Sequence, residues 1–226
     1  MIEIPSDLHP DLVPLAFLLG NWQGAGVAEL DGAARQSTDA EGSSGGSAEG
    51  GPEGSSEDAS GDAAEGASET EKCNFGQEVT FSHDGRDFLE YVSHTWQLDA
   101  EGEKVRPLET ETGYWRIDAE RQVEVVMVRD QGVAEVWYGE LADGKPQIDL
   151  ATDAIARTPS AGPYTAGKRL YGYVNGDLMW VGERATPETA LRPYMSAHLK
   201  KVVDPSEWVR HLKDEDLPDD GVAFFK

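Results

Sequence analysis

Phe75-Gly76-Gln77-Glu78-Val79-Thr80-Phe81-Ser82-His83-Asp84-Gly85-Arg86-Asp87-Phe88-Leu89-Glu90-Tyr91-Val92 decides how the rest of the chain is read. Phe75 to Ser82 and Phe88 to Val92 are short, rich in aromatic and β-branched residues, and separated by Asp84-Gly85, a dipeptide that turns favour. The unit is a strand, a turn and a strand. The same grammar continues downstream in Gly113 to Ile117, Val123 to Val128, Val136 to Tyr138, Gln147 to Leu150, Leu170 to Val174, Leu178 to Val181 and Met195 to Val203. Asp143-Gly144 and Asn175-Gly176 mark further hairpin turns. Upstream, Trp22 to Leu30 reads as one more strand, and Leu8 to Leu19, with Pro10 and Pro14, as a short helical segment lying over one end of a sheet. About ten strands with almost no helix predict an all-β, antiparallel up-and-down barrel, because a parallel sheet would need helical crossovers. A β-sandwich is the alternative that the pattern leaves open.

Between Asp31 and Lys72 the composition changes to Gly, Ser, Ala, Glu and Asp, and large apolar residues vanish. Such a stretch buries too little surface to offset its ordering entropy, so Ala33 to Thr70 reads as a disordered acidic insertion in a single domain spanning 1–226. Residues 204–226 read as a C-terminal extension. The chain carries 43 acidic against 19 basic side chains, a net charge of −24, which repels phosphate backbones and anionic headgroups. Nucleic acid and membrane are therefore not expected as partners. The start of the chain, Met1-Ile2-Glu3-Ile4-Pro5, resembles no export signal, and no apolar run reaches the roughly 20 residues of a membrane span, so a cytoplasmic location is expected. Cys73 is the single cysteine, and it is read as an incidental thiol.

The segment Gly20-Asn21-Trp22-Gln23-Gly24-Ala25-Gly26 has the form G-x-W-x-G-x-G directly after the helical segment. Glycines at Gly20, Gly24 and Gly26 let a strand bend at a barrel corner, and Trp22 can plug the barrel floor. With the hairpin quoted above, Thr95-Trp96, Glu111-Thr112-Gly113-Tyr114-Trp115-Arg116, Gly132 to Val136 and Lys168-Arg169-Leu170-Tyr171-Gly172-Tyr173, this order and spacing resembles the nitrobindins over residues 8–30 and 73–203. Asp87 departs from that family, which usually has proline there.

The resemblance implies a lipocalin-like barrel holding ferric haem b through a histidine of the last strand, with nitric oxide binding and isomerisation of peroxynitrite to nitrate at the iron. Read back from Lys200-Lys201-Val202, the matching position is Tyr194, so the axial histidine is absent. The chain is therefore expected to be haem-free or atypical in haem binding, with no other cofactor, and the isomerase activity is not carried over. Tyr194 has two readings: a tyrosinate ligand to ferric haem, with Arg192 supplying a neighbouring cation, or an aromatic side chain filling the cavity. Periodicity alone would instead turn Met195, Ala197 and Leu199 inward. His198 lies four residues beyond Tyr194, about 13 Å along a strand, too far to reach the same iron, and is read as a polar side chain near the rim. Lys168 matches a lysine placed near the haem edge in the family, where it could pair with a propionate; an exposed strand lysine is the other reading.

His83 falls in a turn, His94 could face the cavity, and His9 and His211 lie near the ends with no assigned role. Paired carboxylates carry little information in a chain this acidic. Two further functions stay open: a carrier of a small apolar or haem-like ligand in the barrel, and an interaction module recruited through the acidic insertion.

Overall fold

A computed structural model of the chain describes residues 4–30 and 71–202. The acidic insertion and the C-terminal extension fall outside the described residues, so the expectations made for them stand as they were. A 3₁₀ helix, Pro10–Leu18, precedes ten strands: β1 Gly20–Leu30, β2 Glu71–Ser82, β3 Leu89–Leu98, β4 Lys104–Ile117, β5 Gln122–Arg129, β6 Val133–Leu141, β7 Gln147–Arg157, β8 Ala166–Val174, β9 Asp177–Ala185 and β10 Arg192–Val202. Each strand pairs antiparallel with its sequence neighbours, and β10 closes on β1. Closure removes the sandwich alternative and leaves no free edge.

The hairpin turns differ from expectation in detail. Asn175-Gly176 is a two-residue turn between Val174 and Asp177, with φ of 55° and 103°, the left-handed pair that such hairpins require. Asp84-Gly85 and Asp143-Gly144 instead sit in longer connections, 83–88 and 142–146. There Asp84 accepts a hydrogen bond from the Arg86 amide, an Asx-type closure that needs more than two residues.

One end of the barrel is a floor. Pro10 opens the helix where its missing N–H costs nothing, and Leu12, Leu15 and Leu18 are fully buried against the strand ends. The Trp22 indole donates a 2.7 Å hydrogen bond to the Leu18 carbonyl and meets Tyr173 edge-on, tying helix to barrel. Gly20 adopts φ of 116°. Gly24 and Gly26 serve close approach: a Cβ on either would lie 2.0 Å from a β10 carbonyl oxygen, that of His198 or Ser196. At the opposite end, the mouth, β1 and β2 remain paired out to Leu30 and Glu71. Among the described residues no helix is long and apolar enough to cross a membrane.

Candidate functional site

Strand alternation decides which side chains share the interior. Across β3 to β5, Tyr91 pairs with Gly113 and Ser93 with Glu111, and Glu111 pairs with Arg129. Across β8 and β9, Arg169 pairs with Gly182 and Tyr171 with Trp180. The inward rows are aromatic toward the floor, with Phe81, Tyr91, Trp115 and Tyr171 packed ring to ring. Toward the mouth they turn charged.

The charged layer is an ion-pair network. Arg169 forks onto Glu111, its Nη1 donating to Oε2 at 2.9 Å and its Nη2 bonding Oε1. Glu111 Oε2 also accepts from the Tyr91 hydroxyl at 2.9 Å. Arg129 forks onto Glu135 at 2.9 and 3.2 Å and lies 3.0 Å from Glu109 and 3.3 Å from Glu111. Trp180 donates to Gln77, which donates to Ser93. Charges this deep persist only when paired, and a two-pronged guanidinium–carboxylate contact is the strongest form of pairing.

Burial pushes the Glu111 carboxyl up, but the Arg169 and Arg129 guanidiniums, with hydrogen bonds from Arg169 and Tyr91, overcome it and hold it down at about 2. Glu109 goes the other way: burial raises it, Arg129 only partly offsets that, and the Glu111 charge adds to the rise. Burial and the nearby Glu111 charge push the Tyr91 hydroxyl well up. Three carboxyls thus face two guanidiniums, and Glu109 takes up a proton more readily than Glu111.

Tyr194 joins this layer through a β-bulge. The register of β10 against β9 slips between Pro193 and Met195, so Tyr194 and Met195 both stand over Gly182 while Ala197 and Leu199 continue the inward row. Tyr194 is buried, and a Cβ on Gly182 would touch its ring at 3.1 Å. The cation beside it is Arg184, 4.8 Å over the ring centroid, a residue that sequence reasoning missed. Arg192, expected to serve Tyr194, instead bonds Glu29 at 2.5 Å, because the bulge breaks the two-residue repeat that would align the two. Tyr164, from the β7–β8 connection, completes the layer. Its hydroxyl lies 2.3 Å from where a Cβ on Gly167 would sit, and its ring covers the Arg129 guanidinium at 5.4 Å.

The remaining expected residues lie elsewhere. Lys168 points outward and is exposed, because Gly167, Arg169 and Tyr171 take the inward phase of β8; the inward cation is its neighbour Arg169. His198 also points outward, since the bulge takes it out of phase with Tyr194, and its Nε2 lies 2.6 Å from Asp177. That places it on the outer wall toward the floor, not at the rim. His94 is exposed on the outer wall beside Thr110, His83 sits in the β2–β3 connection and His9 caps the 3₁₀ helix; His211 is outside the described residues. Trp22 and the motif glycines form the floor and its adjoining wall, away from the charged layer.

A ferric porphyrin needs an axial donor, room for a flat macrocycle and cations for its propionates. Among the described residues no imidazole belongs to the charged layer at the mouth; His83, whose Nδ1 is buried without a hydrogen-bond partner, sits at the floor end after β2. Tyr164, Tyr194, Arg129, Arg169 and Glu111 are each less than a tenth exposed, whereas a haem-sized space would leave its lining open to solvent. The inward guanidiniums Arg129 and Arg169 already hold carboxylates. These residues do not fit the group.

The chain can now be set beside known proteins. The family model described as a THAP4-like, heme-binding beta-barrel domain matches residues 11–201. The chain is 66% identical to a ferric nitrobindin-like protein of Streptomyces griseus, with both covered completely. It is 39% identical to a peroxynitrite isomerase of Nocardioides sp., over 87% of this chain and 96% of that one. The crystal structure of Rv2717c from M. tuberculosis shares the fold, with a TM-score of 0.63 and 23% identity over 86% of this chain and 99% of that one. A match that runs from the helix at the floor to the last strand means that the chain belongs to the THAP4-like haem-binding β-barrel family, the nitrobindins.

Proposed function

We propose that this chain is a haem-free nitrobindin-like barrel, in which Tyr194 takes the place of the axial histidine and a salt-bridged layer of protein takes the place of the porphyrin. The observation that carries this is the packing of the mouth: Tyr194 under Arg184 and Tyr164 over Arg129, with no imidazole among the described residues in that layer. On this reading the chain does not isomerise peroxynitrite at an iron, and it works without a cofactor, in the cytoplasm. A competing reading is favoured by the inward position of Tyr194 and by relatives named peroxynitrite isomerase: ferric haem held by the phenolate.

Hemin titration followed by optical spectra separates the two. The natural chain is expected to show only weak, non-saturating binding, and Tyr194→His combined with Tyr164→Ala to gain a saturable site with an imidazole-type spectrum. A tight complex of the natural chain with a high-spin phenolate spectrum that vanishes in Tyr194→Phe would overturn the haem-free reading.

A further inference from the structure

On the outside of the floor, between the 3₁₀ helix and the β4–β5 and β6–β7 turns, lies a shallow groove of about 290 Å³. Phe17 and Leu141, each 4% exposed, form its bottom, and Ile4 and Val13, 53% and 42% exposed, form its open side. Its only charged lining residues are Arg121 and Lys145, and it has no carboxylate, in a chain with 43 acidic and 19 basic side chains. The nearest acid to Arg121 is Asp143, 3.4 Å from its Nε, which is fully exposed and does not line the groove. Exposed apolar side chains beside cations, with anions kept out, make a surface that is amphiphilic and of one sign.

Arg121 is fixed in position by the fold. Its backbone has φ of 66°, a left-handed conformation uncommon outside glycine, and its carbonyl accepts from the Leu141 amide at 3.0 Å. Its guanidinium donates through Nε to the Leu141 carbonyl at 3.0 Å and through Nη2 to the Ala142 carbonyl at 2.8 Å. The side chain is thus strapped across both turns, while its Nη1 has no partner among the described residues. Lys145, exposed on the next turn, has no ion-pair partner among the described residues either. A guanidinium held this way gives up little freedom when it meets an anion, and a free ammonium beside it adds to the attraction. We propose that the floor groove binds a small aliphatic carboxylate, with its chain along Val13, Phe17 and Leu141 and its charged head between Arg121 and Lys145. The volume is at the lower end for small-ligand sites, so a single short chain fills it. A membrane surface is not the ligand, because the net charge of −24 repels anionic headgroups. The groove lies at the opposite end from Tyr194, so the inference is independent of whether haem is bound.

Titration of the full chain with sodium decanoate below its micelle concentration, followed by calorimetry and methyl NMR, tests it. A saturable single site with a dissociation constant on the order of 10–100 µM is expected, as suits a ligand of this size. The methyl signals of Ile4, Val13 and Leu141 should shift, and the Trp180 indole signal inside the barrel should not. Octanoate should bind about sixteenfold more weakly, at about fourfold for each methylene lost. Decanol, which has the tail without the charge, should bind at least about tenfold more weakly than decanoate, and decyltrimethylammonium should not saturate the site. Lys145→Glu should weaken decanoate at least about tenfold and leave decanol unchanged, a split that damage to the fold would not produce. Arg121→Gly, which suits the positive φ, should show the same split. Circular dichroism of both variants checks that the barrel is folded. Absence of saturable decanoate binding overturns the proposal. So does equal binding of the acid, the alcohol and the cation, which would be apolar partition alone, and so do shifts confined to the barrel interior. Binding to phosphatidylglycerol vesicles in place of free decanoate would overturn it as well.

Discussion

The two ends of this barrel are closed by opposite chemistry. At the floor, Leu12, Leu15 and Leu18 of the 3₁₀ helix press into an apolar ring around Trp22 and Tyr173, held by contact area and one indole hydrogen bond. At the mouth, Arg129 and Arg169 hold Glu109, Glu111 and Glu135 under two tyrosines. The floor gains stability from every buried methylene and does not depend on pH. The mouth gains little net energy over an apolar filling, because desolvation of the charges offsets their attraction, but it fails badly when one partner is lost. A barrel plugged by apolar packing can be tuned by degrees. One plugged by ion pairs is open or shut.

The largest effect expected from that contrast comes from breaking one pair. Arg169→Ala strands Glu111 without its fork and should cost about 3–5 kcal/mol in denaturant unfolding. The joint replacement Glu111→Leu with Arg169→Met should recover most of that loss, or exceed the natural stability. At the floor Leu15→Ala should cost about 2–5 kcal/mol, and no second substitution of charge can recover it. If the paired replacement were as damaging as Arg169→Ala alone, the mouth would owe its stability to packing and the contrast would dissolve.

A pH series sharpens the same comparison. The Glu111 carboxyl is held at about 2 against an ordinary 4.5, so its contribution is complete above pH 4.5 and is lost as pH falls toward 2. The unfolding free-energy gap between the natural chain and Glu111→Gln should therefore shrink by about 3 kcal/mol across that window. Glu109 has the opposite sign, its raised carboxyl favouring the fold at low pH and costing stability as pH rises above 4.5. The penalty of Leu15→Ala should stay flat over the same range. A flat Glu111→Gln gap would mean that the network does not hold this carboxyl down.

The smallest effect is expected at the lid of the mouth. Tyr164→Ala removes a ring that lies over Arg129, costing about 1–3 kcal/mol, and should admit a hydrophobic dye that the natural chain excludes. Equal dye fluorescence in both proteins would show that this tyrosine does not seal the barrel.

Much of this was legible in the sequence, and the physical reason separates what was from what was not. Strands with one face buried announce themselves by alternation: Val123, Val125 and Met127 are inward in the phase that their spacing predicts, and Asn175-Gly176 takes the turn its residues demand. The charged layer obeys the same alternation. Arg129 is in phase with Met127, Glu111 with Gly113 and Trp115, and Arg169 with Gly167 and Tyr171. Phase therefore could have found them, had an inward charge been followed across strands instead of being set aside in so acidic a chain. The same count puts Lys168 outside. Tyr194 is different, because a bulge inserts one residue and resets the phase, so two readings of one strand were both partly right: Met195, Ala197 and Leu199 face inward, and so does Tyr194. Arg184 was not visible as the partner of Tyr194, since that contact crosses between strands at the bulge.

The central claim, that protein fills the place where this family keeps its iron, is tested most directly by loading the purified chain with one equivalent of hemin and adding apomyoglobin in excess. The account predicts complete and rapid transfer of the hemin, with a final spectrum that belongs wholly to myoglobin. Hemin that stays with this chain through the competition, and leaves only when Tyr194 is changed to Phe, would contradict it.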